Sequence, residues 1–404
     1  MYLAVWKYVR THVNYMCGSE TPRSDESLSR RSFLAGTAAA PLGLASGASG
    51  QTTATSTPAP DPRIETVPPG ETFEVRLGDD DSLGGDRGLL IDITAEGAAY
   101  EINARGSSWE IRNVAIIGSL DGTRTGARLS AQVPDPDETA VIDNLWITAD
   151  NQSQPDERGG DAVGIFVHPR HAGTLLIRRT YIENYRNNGI YASSPGNPLS
   201  EELPGQGGTI SIENCYVLNC SNAGFRIGTP DSSVTDSVVV QTRPLDTSLD
   251  NDSGPDAVRA IWLYYGTGQL RNVAFSMSNG TGIDIGDPGR YESTVVLESV
   301  LGEASGGVLT GATRLIRGEY SIQEPSRAQL TPPPGCPSTP QAVFEQRVPR
   351  LEGIGTGRPN IGPIGLGDSI TRLVRMLSVR LVGIVLAIIA AIVAIDAWFK
   401  RERE

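Results

Sequence analysis

The stretch Ile210 to Ile227 reads ISIENCYVLNCSNAGFRI. Apolar and polar residues alternate through Ile210-Ser211-Ile212-Glu213, Asn214 follows, and a second alternating run begins at Gly224-Phe225-Arg226-Ile227. Alternation with period two marks a short strand that buries one face. The first phrase recurs as Ile111-Arg112-Asn113-Val114, Ile142-Asp143-Asn144-Leu145, Ile177-Arg178-Arg179-Thr180, Thr235-Asp236-Ser237-Val238, Leu270-Arg271-Asn272-Val273, Leu297-Glu298-Ser299-Val300 and Ile316-Arg317-Gly318. Successive copies start 31, 35, 35, 23, 35, 27 and 19 residues apart, so the unit lies in the low twenties and carries insertions.

The second phrase follows each copy but the last: Gly126-Ala127-Arg128-Leu129, Gly164-Ile165-Phe166-Val167, Gly189-Ile190-Tyr191-Ala192, Ala260-Ile261-Trp262-Leu263, Gly282-Ile283-Asp284-Ile285 and Gly307-Val308-Leu309-Thr310. A unit this small cannot bury its own apolar face. Stacking copies at about 4.8 Å pairs each strand with the next and makes one continuous interior. Asn113, Asn144, Asn214 and Asn272 would form a column at a turn, where Asn tolerates left-handed backbone. A β-propeller is the runner-up, disfavoured because each blade needs about 40 residues.

These repeats, with their Gly-led strands and Asn column, resemble the right-handed parallel β-helix of the pectin lyase-like superfamily over roughly residues 88–322. The expected fold is all-β, a right-handed parallel β-helix at 70–322, with Thr72 to Asn103 as opening rungs or cap. The resemblance is carried by the repeat and not by catalytic motifs: the polygalacturonase signatures are absent from this sequence. Lyases of the superfamily imply an Arg or Lys base with calcium on acidic residues, and calcium is the cofactor this suggests.

Charge narrows the function classes. Acidic residues outnumber basic ones 47 to 34, for a formal charge of −13, which excludes a nucleic-acid-binding face. Only Lys7 and Lys400 are lysines; residues 51–366 hold 23 basic against 40 acidic residues, a net of −17. That balance resembles haloarchaeal proteins, whose acidic surfaces stay hydrated while molar salt screens repulsion within about 3 Å.

The ends predict export and anchoring. Ser29-Arg30-Arg31-Ser32-Phe33-Leu34 ahead of a small-residue run matches a twin-arginine signal, so residues 1–50 read as a leader and the twin-arginine translocase as a transient partner. Residues 51–69 read as a linker, and 323–370, with Pro332-Pro333-Pro334 and a Gly-rich stretch, as a stalk. Leu381 to Phe399 is 19 residues with one acid. At 1.5 Å per residue it reaches about 28 Å, so 371–404 reads as a single transmembrane α-helix and a short cytoplasmic tail. The body is thereby expected on the extracellular face of the membrane. Asn151, Asn219, Asn251 and Asn279 begin glycosylation sequons, and Cys220 and Cys336 are candidates to pair.

Stacking turns equivalent positions into neighbours. The outward column of the second phrase is Arg128, Phe166, Tyr191, Arg226, Trp262, Asp284, Leu309; two residues on run Ser130, His168, Ser193, Gly228, Tyr264, Gly286, Gly311. Rings with Arg and Asp among them suit sugars, which show apolar C–H faces and hydroxyl edges. Phe166, Tyr191, Arg226, Trp262 and Tyr264 are the candidate binders; burial of the column under the insertions 150–160, 195–207 and 243–258 is the competing reading. Arg226, His168 and Asp284 are the candidate catalytic groups, and Asp284 and Asp287 the candidate calcium ligands. The expected function is binding of a polysaccharide or surface glycan. A polysaccharide lyase or glycoside hydrolase on the same face is the alternative, and a structural envelope or adhesion protein the second.

Overall fold

The computed structural model describes residues 60–120, 128–149, 163–185, 187–197, 204–242, 258–287, 292–311, 314–317 and 322–351. The leader and the apolar C-terminal segment lie outside them. Among the described residues no helix is long and apolar enough to cross a membrane.

The chain is all-β, with its strands parallel in two long sheets. It visits the sheets in turn: Leu89–Ile93 lies in the first, Ala99–Ala104 in the second, Glu110–Gly118 in the first, Leu129–Ala131 in the second, and so on. Each strand therefore pairs with the one a full turn away, the arrangement of a coil. Thr72–Leu77 pairs with Ala99–Ala104, so the opening segment is part of the coil. Arg63–Thr66 pairs with Leu89–Ile93 too, and the coil begins inside the stretch read as linker.

The first sheet folds along a line of left-handed residues. Asn113, Asn144, Arg179, Asn214, Asp236, Asn272 and Ser299 have φ between 45° and 59°. In earlier turns the bend sits inside long strands, Thr139–Thr148 and Thr174–Glu183; later it separates Thr209–Glu213 from Tyr216–Leu218. Each later turn thus has three strands. Asn144 Nδ2 donates to Asn113 Oδ1 at 2.7 Å, and Asn272 donates to Asp236, so amides do link rungs along this column. Arg179 instead pairs with buried Asp143.

Inward residues of all three faces meet in one core, with Ile111, Leu145, Ile177, Ile212, Phe225, Ile261 and Ile283 fully buried. The glycines that open the second phrase have a steric cause: a Cβ on Gly189 would sit 2.9 Å from the Gly224 carbonyl oxygen, and one on Gly224 2.8 Å from that of Ala260. Neighbouring rungs approach too closely there for a side chain.

Four expectations are corrected. Val234, not Thr235, pairs with Ile212, and Ile316 pairs with Val295 rather than Leu297. The cysteines Cys215, Cys220 and Cys336 are free; Cys220 faces the core while Cys336 packs on the outside of the sheet, so the sheet separates the proposed pair. Asn219 is buried, left-handed, and accepts from the Thr242 amide at 2.9 Å, which withdraws it from glycosylation.

The fourth concerns the stalk. Its described part, 323–351, is packed on the first sheet. Rings of Trp146, Tyr181 and Tyr216 stack on successive rungs, 5.9 and 5.2 Å apart, and Cys336, Val343 and Phe344 cover them. Pro340–Glu345 is a short helix capped by Thr339, whose hydroxyl accepts from the Ala342 amide at 3.1 Å. Prolines remove amide donors that would need partners, so this segment packs through side chains and accepts bonds at its carbonyls. Low apolar content did not preclude packing because an aromatic face was waiting for it.

Candidate functional site

The outer face of the second sheet carries the column. Ile165–Val167, Ile190–Ala192, Ala223–Ile227, Arg259–Leu263 and Thr281–Ile285 alternate, with Ile165, Ile190, Phe225, Ile261 and Ile283 inward. Their register places Ser130, Phe166, Tyr191, Arg226, Trp262, Asp284 and Thr310 in line. The central five match the sequence reading. Ser130 replaces Arg128, because the strand enters two residues later. Thr310 replaces Leu309, which pairs with Ile283; a slip of one residue exchanges the inner and outer faces.

Arg226 is the centre of the cluster. Its guanidinium carbon lies 4.3 Å from the Tyr191 ring centre, 4.4 Å from Trp262 and 4.1 Å from Tyr264. Phe166 and Tyr191 are 5.4 Å apart, and Trp262 meets Tyr264 edge-on at 4.5 Å. Phe166, Tyr191 and Trp262 are half-buried, whereas Arg226 and Tyr264 are 9% exposed. The binding candidates therefore do come together. Of the insertions proposed to cover them, 150–160 and most of 243–258 lie outside the described residues.

Asp284 is engaged. Its Oδ2 accepts from Arg259 Nε at 2.5 Å and its Oδ1 from the Thr310 hydroxyl at 3.1 Å. Asp287 Oδ2 accepts from the Tyr264 hydroxyl at 2.8 Å, and burial pushes the Tyr264 phenol upward. Among the described residues, no group of three or more His, Cys, Asp or Glu gathers to hold a metal ion, so the pair Asp284 and Asp287 has no third acidic partner for calcium.

His168 lies two rungs from Arg226 on one side, and Asp284 two rungs on the other. At about 4.8 Å per rung, roughly 19 Å separates the outer two, too far for one reacting bond. Burial, with help from Arg105 and Arg170, lowers the His168 imidazole to about 4. Its Nδ1 accepts from the Arg170 amide at 3.2 Å, so the ring is neutral with its proton on Nε2 at pH 7. His171 is fully buried, also lowered to about 4 by burial, and ties the Val133 amide to the Thr209 carbonyl.

Sequence reasoning missed Arg259, whose guanidinium carbon is 3.9 Å from the centre of the site's Trp262 ring. It stands three residues before Trp262, outside the two-residue alternation, so its strand gave no signal. The Asp79-Asp80-Asp81 run is a tie between turns: Asp79 and Asp80 accept from Ser107 and Ser108, one turn on.

No protein-family model matches the chain, and no curated protein matches it.

Proposed function

We propose that this is a right-handed parallel β-helix of the pectin lyase-like type that binds a polysaccharide or surface glycan along its second sheet. In this reading the twin-arginine leader exports it and the C-terminal apolar segment anchors it at the extracellular face of a haloarchaeal-type membrane. One observation carries the binding reading: Phe166, Tyr191, Arg226 and Trp262 occupy four successive rungs in unbroken register. A sugar unit is about as long as a rung, so a chain running along the coil would meet one such group per residue. Binding is favoured over catalysis because His168, Arg226 and Asp284 stand rungs apart and Asp284 already has two partners.

Affinity electrophoresis against a panel of neutral and acidic polysaccharides tests this. At least one glycan is expected to retard the protein, and Trp262→Ala to weaken the retardation. If no glycan in the panel alters migration, the reading falls. Release of new reducing ends that stops on Arg226→Gln would replace it with the enzymatic alternative.

A further inference from the structure

Arg226 is a buried cation without an anion. Among the described residues it makes no ion pair, and its Nε is buried with no hydrogen-bond partner. Several other arginines of the coil do have carboxylate partners. Arg112 pairs with Asp86 and Glu110, Arg178 with Glu213, Arg179 with Asp143, Arg259 with Asp284 and Arg271 with Glu298. In a chain so rich in acids, a missing carboxylate beside a buried guanidinium on the outer face stands out.

The rings of Tyr191, Trp262 and Tyr264 all have their centres within 4.4 Å of the guanidinium carbon. Ring contact uses the π face and leaves the in-plane N–H donors without acceptors. A guanidinium stripped of most of its water and given no acceptor is costly, and a planar pair of N–H donors matches an oxyanion in two-point fashion. Nearby acids do not satisfy it: Asp284 is taken by Arg259 and Thr310, and one Asp287 oxygen by Tyr264.

We propose that Arg226 forms an oxyanion subsite, walled by Tyr191, Trp262 and Tyr264, that takes a carboxylate or sulfate group borne by the bound glycan. The identity of the carrier rests on the glycan reading above; the anion site itself does not. The aromatic walls pack the sugar faces, and the guanidinium edge selects the charged unit. One acidic residue at this rung would then set the register of the whole chain along the column.

The test titrates the intact protein with inorganic sulfate at constant ionic strength, followed by heat. Saturable binding is expected, lost in Arg226→Gln and weakened about tenfold or more in Arg226→Lys, which keeps the charge but not the planar fork. Thermal midpoints of both variants establish that they fold. No saturable sulfate binding, or equal binding by Arg226→Gln, overturns the subsite. A second arm compares a sulfated glycan, its desulfated form, a polyuronate and a neutral glucan. Preference for one acidic chain that vanishes in Arg226→Gln supports the subsite and names the group. Equal binding of neutral and acidic chains overturns it and leaves the glycan reading intact. Sulfate binding with no glycan bound sustains the anion site and removes the glycan reading.

Discussion

The side chain of Asn113 holds Val348, 235 residues further along the chain, by two hydrogen bonds: the Val348 amide donates to Oδ1 at 2.9 Å, and Nδ2 donates to the Val348 carbonyl at 3.0 Å. Asn144 does similar work, its Nδ2 donating to the Val343 carbonyl at 2.8 Å, and Arg112 reaches the Val348 carbonyl at 2.7 Å. The left-handed corner of the coil is thus also the clasp for the segment that crosses it.

Asn113→Ala should loosen this clasp, costing about 1–3 kcal/mol for the unsatisfied partners it leaves. Limited proteolysis checks it: cleavage within 323–351 should appear while the coil stays intact. Resistance equal to wild type would mean that the packing of Val343 and Cys336 alone holds the segment.

Ile283→Asp should unfold several rungs, since Ile283 is fully buried and pairs with Ile261 and Leu309 on either side. An unpaired charge there costs several kcal/mol. Loss of the cooperative thermal transition is the expected readout, and a wild-type melt would disprove the assigned inner face.

Trp262→Ala should spare the fold and reduce glycan affinity about tenfold or more, as stacking against a ring contributes on the order of 1–2 kcal/mol. Its indole donates to the Gly286 carbonyl at 3.1 Å, a bond at the surface of the coil and not in its core. A binding isotherm and a melting curve on the same sample separate the two effects.

Stability should fall as pH drops from 6.5 to 4. Folded His168 and His171 stay neutral until about 4, while the unfolded chain takes up their protons near 6.5. The unfolded state therefore binds more protons across that window, and acid favours it. At 1.36 kcal/mol per unit the effect approaches about 3 kcal/mol for each ring at pH 4. Denaturant melts of wild type and His171→Gln should show a shallower pH slope in the variant; parallel slopes would contradict the lowered His171.

Gly302→Ala should destabilise by about 1–3 kcal/mol, through overpacking and not through backbone strain. An added Cβ would lie 2.0 Å from Cζ of Phe275, the buried residue it pairs with. Adding Phe275→Leu should recover part of the loss, and strict additivity of the two changes would refute the contact.

The coil was legible because its causes are local and repeated. Asn214 at a left-handed corner, Gly224 under a neighbouring carbonyl, and the alternation of Phe225 with Arg226 each follow from backbone sterics within a few residues. Register slipped where a turn was irregular, at Thr235 and at Leu309, since one residue more or less in a bend exchanges the faces and leaves no mark on the strand itself.

The sequence by itself determined a stack of short parallel strands, its inner and outer faces, and the outward column from Phe166 to Asp284, because period two and left-handed corners are read one turn at a time. Only the tertiary structure decided that Pro340–Glu345 lies on Trp146 and its neighbours, that Arg259 takes Asp284 from the site, and that Arg226 is left among three rings without an acceptor. Those outcomes depend on which groups meet across turns or across more than a hundred residues, and distance along the chain carries no record of such meetings.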